Sequence, residues 1–151
     1  MGTRNMNHAA AVKYVNILDP VSDSSTLAVD NAVDTAGYSY LTVVVSTGAS
    51  SGMTALKLQE SDAGNMSGAT DVAGTAVGTA LDIDGGTSTL PSASNDEIHV
   101  INLDLRGHKR YVSVAGTYGG ATLCSMLGIL SKAAEATNVL ADRGVNTMVD
   151  A

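Results

Sequence analysis

The feature that most restricts this chain is the period of its apolar residues. Across residues 38–47, Leu41, Val43 and Val45 fall on one parity and Tyr40, Thr42, Val44 and Ser46 on the other. A period of two belongs to an extended strand, because successive side chains leave a strand on opposite faces. The β-branched and aromatic content of this run favours the same conformation. Both parities carry apolar groups, which predicts a central strand. Residues 54–60 repeat the period, with Leu56 and Leu58 opposed to Lys57 and Gln59. That is the signature of a strand buried on one face. The small residues of 48–52 lie between the two runs and predict a hairpin with a loop of about five residues.

The same reading extends along the chain. Residues 13–18 predict a short strand ended by Asp19-Pro20, since proline cannot donate to a ladder. Residues 26–33 predict another strand built on Leu27, Val29 and Ala32. Residues 61–94 are dense in Gly, Ala, Ser, Thr and Asp and predict long surface loops with one or two short strands. Alternation returns at 97–105, where Ile98, Val100 and Asn102 oppose His99, Ile101 and Leu103. It recurs at 110–115 and again at 121–130, with a turn predicted at 116–120. About seven or eight short strands, with no amphipathic helical pattern between them, predict an all-β domain. The expected architecture is an antiparallel β-sandwich or a jelly-roll-like barrel over residues 13–132. Extended arms are expected at 1–12 and 133–151.

Composition narrows the core and the partners. The chain has 151 residues with no Phe, no Trp and five Tyr, so Val, Leu, Ala and small residues must supply its interior. A thin layer of aliphatic side chains between two sheets fits this better than a deep cavity lined by rings. Eight Lys+Arg against fifteen Asp+Glu give a net charge of −7. Such a surface repels phosphate backbones and anionic lipid, so neither nucleic acid nor a membrane is an expected partner. The single cysteine, Cys124, lies in an apolar run and is expected to be a buried small hydrophobe in a protein made in a reducing compartment. The sequence shows no apolar leader and no run of the ~20 residues a membrane span needs.

No pattern of catalysis emerges. His8, His99 and His108 have no second ligand at metal-binding spacing, so no metal is expected at any of them. Asp82-Ile83-Asp84-Gly85-Gly86 opens like a calcium loop, but the twelfth position, which needs a bidentate acid, is Ala93. An Asp-Gly turn is the simpler reading; a looser Ca²⁺ site would have to recruit Asp71 or Asp96. Glu60, Asp62, Asp96, Glu97 and Asp104 supply carboxylates for glycoside chemistry only if folding brings two together. Neither a nucleophile elbow nor a phosphate-binding loop is present. No catalytic residue and no cofactor are expected.

Three blocks carry a resemblance. They are Ala36-Gly37-Tyr38-Ser39-Tyr40-Leu41-Thr42-Val43-Val44-Val45-Ser46-Thr47-Gly48, then Leu56-Lys57-Leu58-Gln59-Glu60-Ser61-Asp62, then Arg106-Gly107-His108-Lys109-Arg110-Tyr111-Val112-Ser113-Val114. In this order and spacing, the chain from Asp30 to Leu130 resembles the small β-sandwich head decoration, or cement, proteins of tailed phages. The Lys-Arg-Tyr-Val and Leu-Gln-Glu-Ser-Asp blocks are its most telling parts. The resemblance implies a non-catalytic structural protein, made in the bacterial host cytoplasm and seated on the virion surface. There it would bind the major capsid protein as a homo-oligomer, often a trimer. The other expectations consistent with the residues are a tail or head-tail connector component and a receptor- or carbohydrate-binding β-module. The basic stretch Arg106, Lys109 and Arg110 is expected to form ion pairs within or between subunits.

Overall fold

The structure, a computed structural model, describes residues 12–27, 32–93 and 96–132. Among these residues there is no helix, and eight strands form two four-stranded antiparallel sheets. The strands are β1 (Val12–Asp23), β2 (Val33–Asp34), β3 (Tyr40–Ser50), β4 (Met53–Ser61), β5 (Thr70–Asp71), β6 (Glu97–Asp104), β7 (Tyr111–Tyr118) and β8 (Thr122–Ser131). One sheet, here sheet A, has the order β1-β8-β3-β6. The other, sheet B, has the order β2-β7-β4-β5. The arrangement is that of a sandwich. Strand β3 is central, as its two apolar faces predict.

The core is the aliphatic layer between the sheets. Leu41, Val43 and Val45 of β3 meet Leu56 and Leu58 of β4 and Val112 and Val114 of β7 in one cluster, all buried. Sheet A adds Ile101 and Leu103 from β6 and Cys124, Met126 and Leu130 from β8. Tyr118 is the one tyrosine fully inside this cluster among the described residues. With so little ring area available, sheet separation is set by small side chains. Within sheet B the paired strands β7 and β4 also crowd each other at Gly116, where a Cβ would stand 2.8 Å from the Ala55 carbonyl oxygen and 2.9 Å from Met53 Cε.

Several expectations are corrected. Residues 38–60 do not form a hairpin. Strand β3 pairs with β6 and β8, while β4 pairs with β5 and β7, so the short link at Ser51 and Gly52 carries the chain from one sheet to the other. Both edges of β3 are taken, which leaves none for β4. The turn expected at 116–120 is shorter, because β7 runs through Gly116 to Tyr118. That glycine serves the close approach of strands rather than a turn. Strand β1 does not stop at Asp19-Pro20 but continues to Asp23. It is an edge strand, and Pro20 falls within the register shift between Leu18 and Val21, where no ladder bond is asked of it. Of the strand expected over 26–33, Thr26 makes an isolated bridge to Thr117 and Val33 begins β2; residues 28–31 lie outside the described residues.

The segment 61–94 is loop-rich as expected, and it does structural work. After β5, the amides of Val72 and Val77 donate to the carbonyls of Leu58 and Leu56 at 3.0 and 2.9 Å, and Thr75 Oγ1 accepts from the Leu58 amide at 3.1 Å. This loop therefore closes the free edge of β4. The arm expected at 133–151, and all of the arm expected at 1–12 except Val12, lie outside the described residues. Val12 itself begins β1, opposite Ser131.

Gly116→Ala is expected to destabilise the fold by about 1–3 kcal/mol, because its methyl group meets a backbone carbonyl that cannot yield. Gly128→Ala, which meets the flexible tip of Ile17 at 3.2 Å, should cost less. Urea unfolding of the two variants beside the wild type measures the order; equal stability of both would contradict the close-approach reading.

Candidate interaction surface

The acids and bases singled out in the sequence converge at the turn between β6 and β7, and they meet within the chain. Arg110 donates from Nε and Nη2 to the two Asp34 oxygens at 2.9 and 2.8 Å, tying β7 to β2 across 76 positions of sequence. Its guanidinium also lies 5.2 Å from the Tyr111 ring centroid. Arg106 folds back onto Asp104 through Nε and Nη2. The Lys109 ammonium donates to Thr70 Oγ1 at 3.4 Å. Glu60 Oε2 receives both His108 Nδ1, at 2.8 Å, and the Lys109 amide, at 3.1 Å. Arg106 and Arg110 thus form ion pairs within their own chain, whereas the Lys109 ammonium holds a threonine hydroxyl.

This geometry explains the two most telling blocks of sequence. Residues 58–62 and 109–112 are neighbours in sheet B, with Glu60 opposite Val112 and Ser61 opposite Tyr111. The glutamate of one block fixes the turn that leads into the other. They are one structural unit, read in sequence as two.

The remaining candidates for chemistry are engaged or set apart. His99 Nε2 lies 3.2 Å from Glu97 Oε2, and Glu97 also accepts from the Ser92 amide at 2.9 Å. Asp82 and Asp84 accept the amides of Ile83 and Gly86 at 2.7 and 2.8 Å, the hydrogen bonding of an Asp-Gly turn. Asp71 is held by Lys57 at 2.5 Å and Gln59 at 2.8 Å. Among the described residues, no group of three or more His, Cys, Asp or Glu stands close enough to share an ion. Burial pushes the Cys124 thiol up, away from the thiolate that a nucleophile requires. Its neighbour Tyr118 has a buried hydroxyl beside the Cys124 thiol, and burial raises that group as well. His8 lies outside the described residues. A groove of about 620 Å³, open to solvent, runs over the outer face of sheet B and is lined by uncharged side chains apart from Lys57.

What the sequence reading did not isolate is the outer face of sheet A. Directly opposed residues of an antiparallel pair share a face. Strand register therefore builds rows: Asn16, Leu127, Val44 and Val100 in one; Tyr14, Ile129, Thr42 and Asn102 in the next; Ser125, Ser46 and Ile98 in the third. No side chain in these three rows is charged, on a protein of net charge −7. Ile98 is 69% exposed, Val100 52% and Leu127 38%. Charges stand at its margins: at one end Tyr40 sits opposite Asp104, with Arg106 on Asp104 and the Lys132 ammonium 4.6 Å from the Tyr40 ring centroid, while Asn16 donates to the Asp19 carboxylate and Asp96 shares a groove with Ser46, Ile98 and Ser125 at the other end. The signal available in sequence was that Ile98 and Val100 share a strand with Ile101 and Leu103 on the opposite parity, so one apolar pair had to face outward.

The acidic partners fix a pH dependence. Hydrogen bonds from Arg106 hold Asp104 down at about 2. Asp34 is lowered chiefly by its bond to Arg110. Burial alone would raise Glu60, but the Lys109 amide and His108 outweigh it and hold the carboxyl below its ordinary value. A carboxylate lowered in the folded state adds stability that is complete above its unfolded value and lost as pH falls through the folded value. The midpoint of thermal unfolding should therefore drop between about pH 4.5 and pH 2. The Glu60→Gln variant should show a shallower drop over that window, and an identical slope would remove Glu60 from the account. No protein-family model, curated protein or solved structure matches the chain.

Proposed function

We propose that this protein is a capsid decoration, or cement, protein of a tailed phage, which binds the outer surface of the head and braces the shell. The observation that carries the reading is the uncharged, apolar-rich outer face of sheet A on an otherwise acidic sandwich. Exposed apolar groups gathered on one face mark an interaction site. The three sequence blocks that resemble head decoration proteins contribute to the strands β3, β4 and β7 of this same sandwich. The role needs no catalytic centre. It asks for a stable body, a face that docks on the major capsid protein, and enough charge elsewhere to keep free subunits apart in the host cytoplasm.

A protein that binds only the assembled lattice stabilises that lattice by mass action. Repetition over many equivalent sites makes a modest affinity per site sufficient, and a homotrimer touching several capsomers at once gains avidity. Arg106, Lys109 and Arg110 lie beside the charged end of the docking face. In this reading they border the contact between neighbouring subunits while Arg106 and Arg110 keep Asp104 and Asp34 and Lys109 keeps Thr70.

The test uses expanded, undecorated heads of the phage or prophage that encodes the chain. The purified protein should bind them saturably and raise their rupture temperature. Leu127→Asp, at the centre of the face, should weaken binding about tenfold or more, the effect of a central apolar contact. Its own unfolding temperature should stay near that of the wild type. Absence of binding, or about a dozen or fewer copies per virion as a connector would have, removes the decoration reading.

A further inference from the structure

Residues 77–91 carry apolar side chains of two kinds. Val77 and Leu90, one near each end of the segment, pack against the core. Leu81 and Ile83, between them, are 78% and 101% exposed, the two most exposed large hydrophobic side chains among the described residues. Apolar side chains scattered singly over a surface are ordinary. These two stand two positions apart in one small hairpin.

That hairpin is well held. Leu81 pairs with Thr87 in an isolated bridge, and the amides of Ser88 and Asp82 donate to the carbonyls of Ala80 and Gly86 at 2.8 and 2.7 Å. The Gly85 amide closes the turn on the Asp82 carbonyl at 3.0 Å, with Gly85 at a φ of 86°. This is the pattern of a three-residue hairpin loop ending on a left-handed glycine. Below the turn, Ser88 Oγ donates to the Ala80 carbonyl at 2.8 Å and accepts from the Gly78 amide at 3.1 Å. Asp82, Asp84 and Gly85 are the residues such a turn favours. Ile83 is the exception, a β-branched apolar side chain at a position where the turn asks for nothing apolar. A sequence that follows its local rules everywhere but one points to function at that place.

We infer that this hairpin is a second contact with the partner of the proposed docking, and that Ile83 inserts there into an apolar hollow rimmed by lysine or arginine. The inference rests on the decoration reading, in which that partner is the major capsid protein. Charge gives the rim. Asp82 and Asp84 flank Ile83, both exposed, and among the described residues neither forms an ion pair. An apolar tip between two uncompensated carboxylates fits burial at the centre and opposite charge around it. The same carboxylates would be repelled by anionic lipid. The grooves of a second copy offer no such rim: Asp96 stands in the one on sheet A, and Lys57, in the one on sheet B, is held by Asp71 at 2.5 Å.

Position agrees. The Val77 amide donates to the Leu56 carbonyl and the Met53 amide to the Pro91 carbonyl, each at 2.9 Å, which fixes both ends of the segment on β4. The Ser92 amide then reaches Glu97 Oε2 at 2.9 Å, at the start of β6. The base of the hairpin thus lies next to the strand that presents Ile98 and Val100 on the docking face. A hairpin already ordered in the free protein loses little freedom on docking.

The test compares the wild type, Ile83→Ser and Asp84→Asn on expanded, undecorated heads. Ile83→Ser should bind about tenfold or more weakly, with the unfolding temperature of the free protein unchanged, because nothing in the chain covers this side chain. Asp84→Asn keeps an oxygen for the Gly86 amide. Its affinity should fall less steeply than that of the wild type between about 50 and 200 mM salt. Equal affinity of Ile83→Ser and the wild type overturns this inference and leaves the decoration reading standing. An unchanged salt slope in Asp84→Asn overturns the basic rim. Failure of the wild type to bind removes both readings together. Sedimentation of the free proteins supplies the last arm: association of the wild type that Ile83→Ser abolishes would assign the hairpin to a second copy, and overturn it as a capsid contact.

Discussion

The structure depends on the meshing of small aliphatic side chains between two sheets. With the exception of β4 to β5, each connection between successive strands passes from one sheet to the other. Local hairpins therefore hold very little of this fold together. What holds it is the layer in which Leu41, Val43 and Val45 meet Leu56, Leu58, Val112 and Val114. A core without Phe or Trp has no large rings to bridge gaps, so contact must be gained through close approach. Within the sheets the neighbouring strands are crowded too: Gly116 lies against the Ala55 carbonyl of the paired strand, and Gly128 against the tip of Ile17. A topology of this kind carries a high share of non-local contacts, and folding must close long loops before those contacts form.

The ion pairs serve this topology at its margins. Asp34 with Arg110 and Glu60 with His108 and Lys109 both act at the β6–β7 connection, where the chain passes from sheet A to sheet B. They are part-exposed, so each adds little to the total on its own. Their effect is one of register: Glu60 binds an imidazole and a backbone amide at once, and so fixes how the turn enters β7. The two arginines of the basic stretch are in this way committed to acids of their own chain, and Lys109 to Thr70. Asp82, Asp84 and Asp104 are likewise spent on turns and strand ends.

That distribution leaves three rows of one face without a charged side chain, with charges at their margins. The outer rows of sheet A present Ile98, Val100, Val44 and Leu127 among Ser, Thr and Asn. The proposed docking on a capsid draws on the side chains of these rows.

The sequence by itself determined which side of each long strand is buried. Leu41, Val43 and Val45 were legible as one face and Leu56 and Leu58 as another, because alternation of period two is a local property that burial must respect. It also determined the loop-rich character of 61–94 and the all-β class. The partner of each strand was decided by tertiary structure alone. Residues 38–60 read as a hairpin because a short turn between two strands is compatible with pairing or with crossing, and only the capture of both β3 edges by β6 and β8 chose between them. Gly116 read as a turn because a glycine in sequence does not reveal whether it is there for bending or for a neighbour's carbonyl. Asp34 and Arg110, 76 positions apart, could not be matched beforehand. Alternation specifies a face; pairing is a competition among edges, settled by contacts that no local stretch of the chain contains.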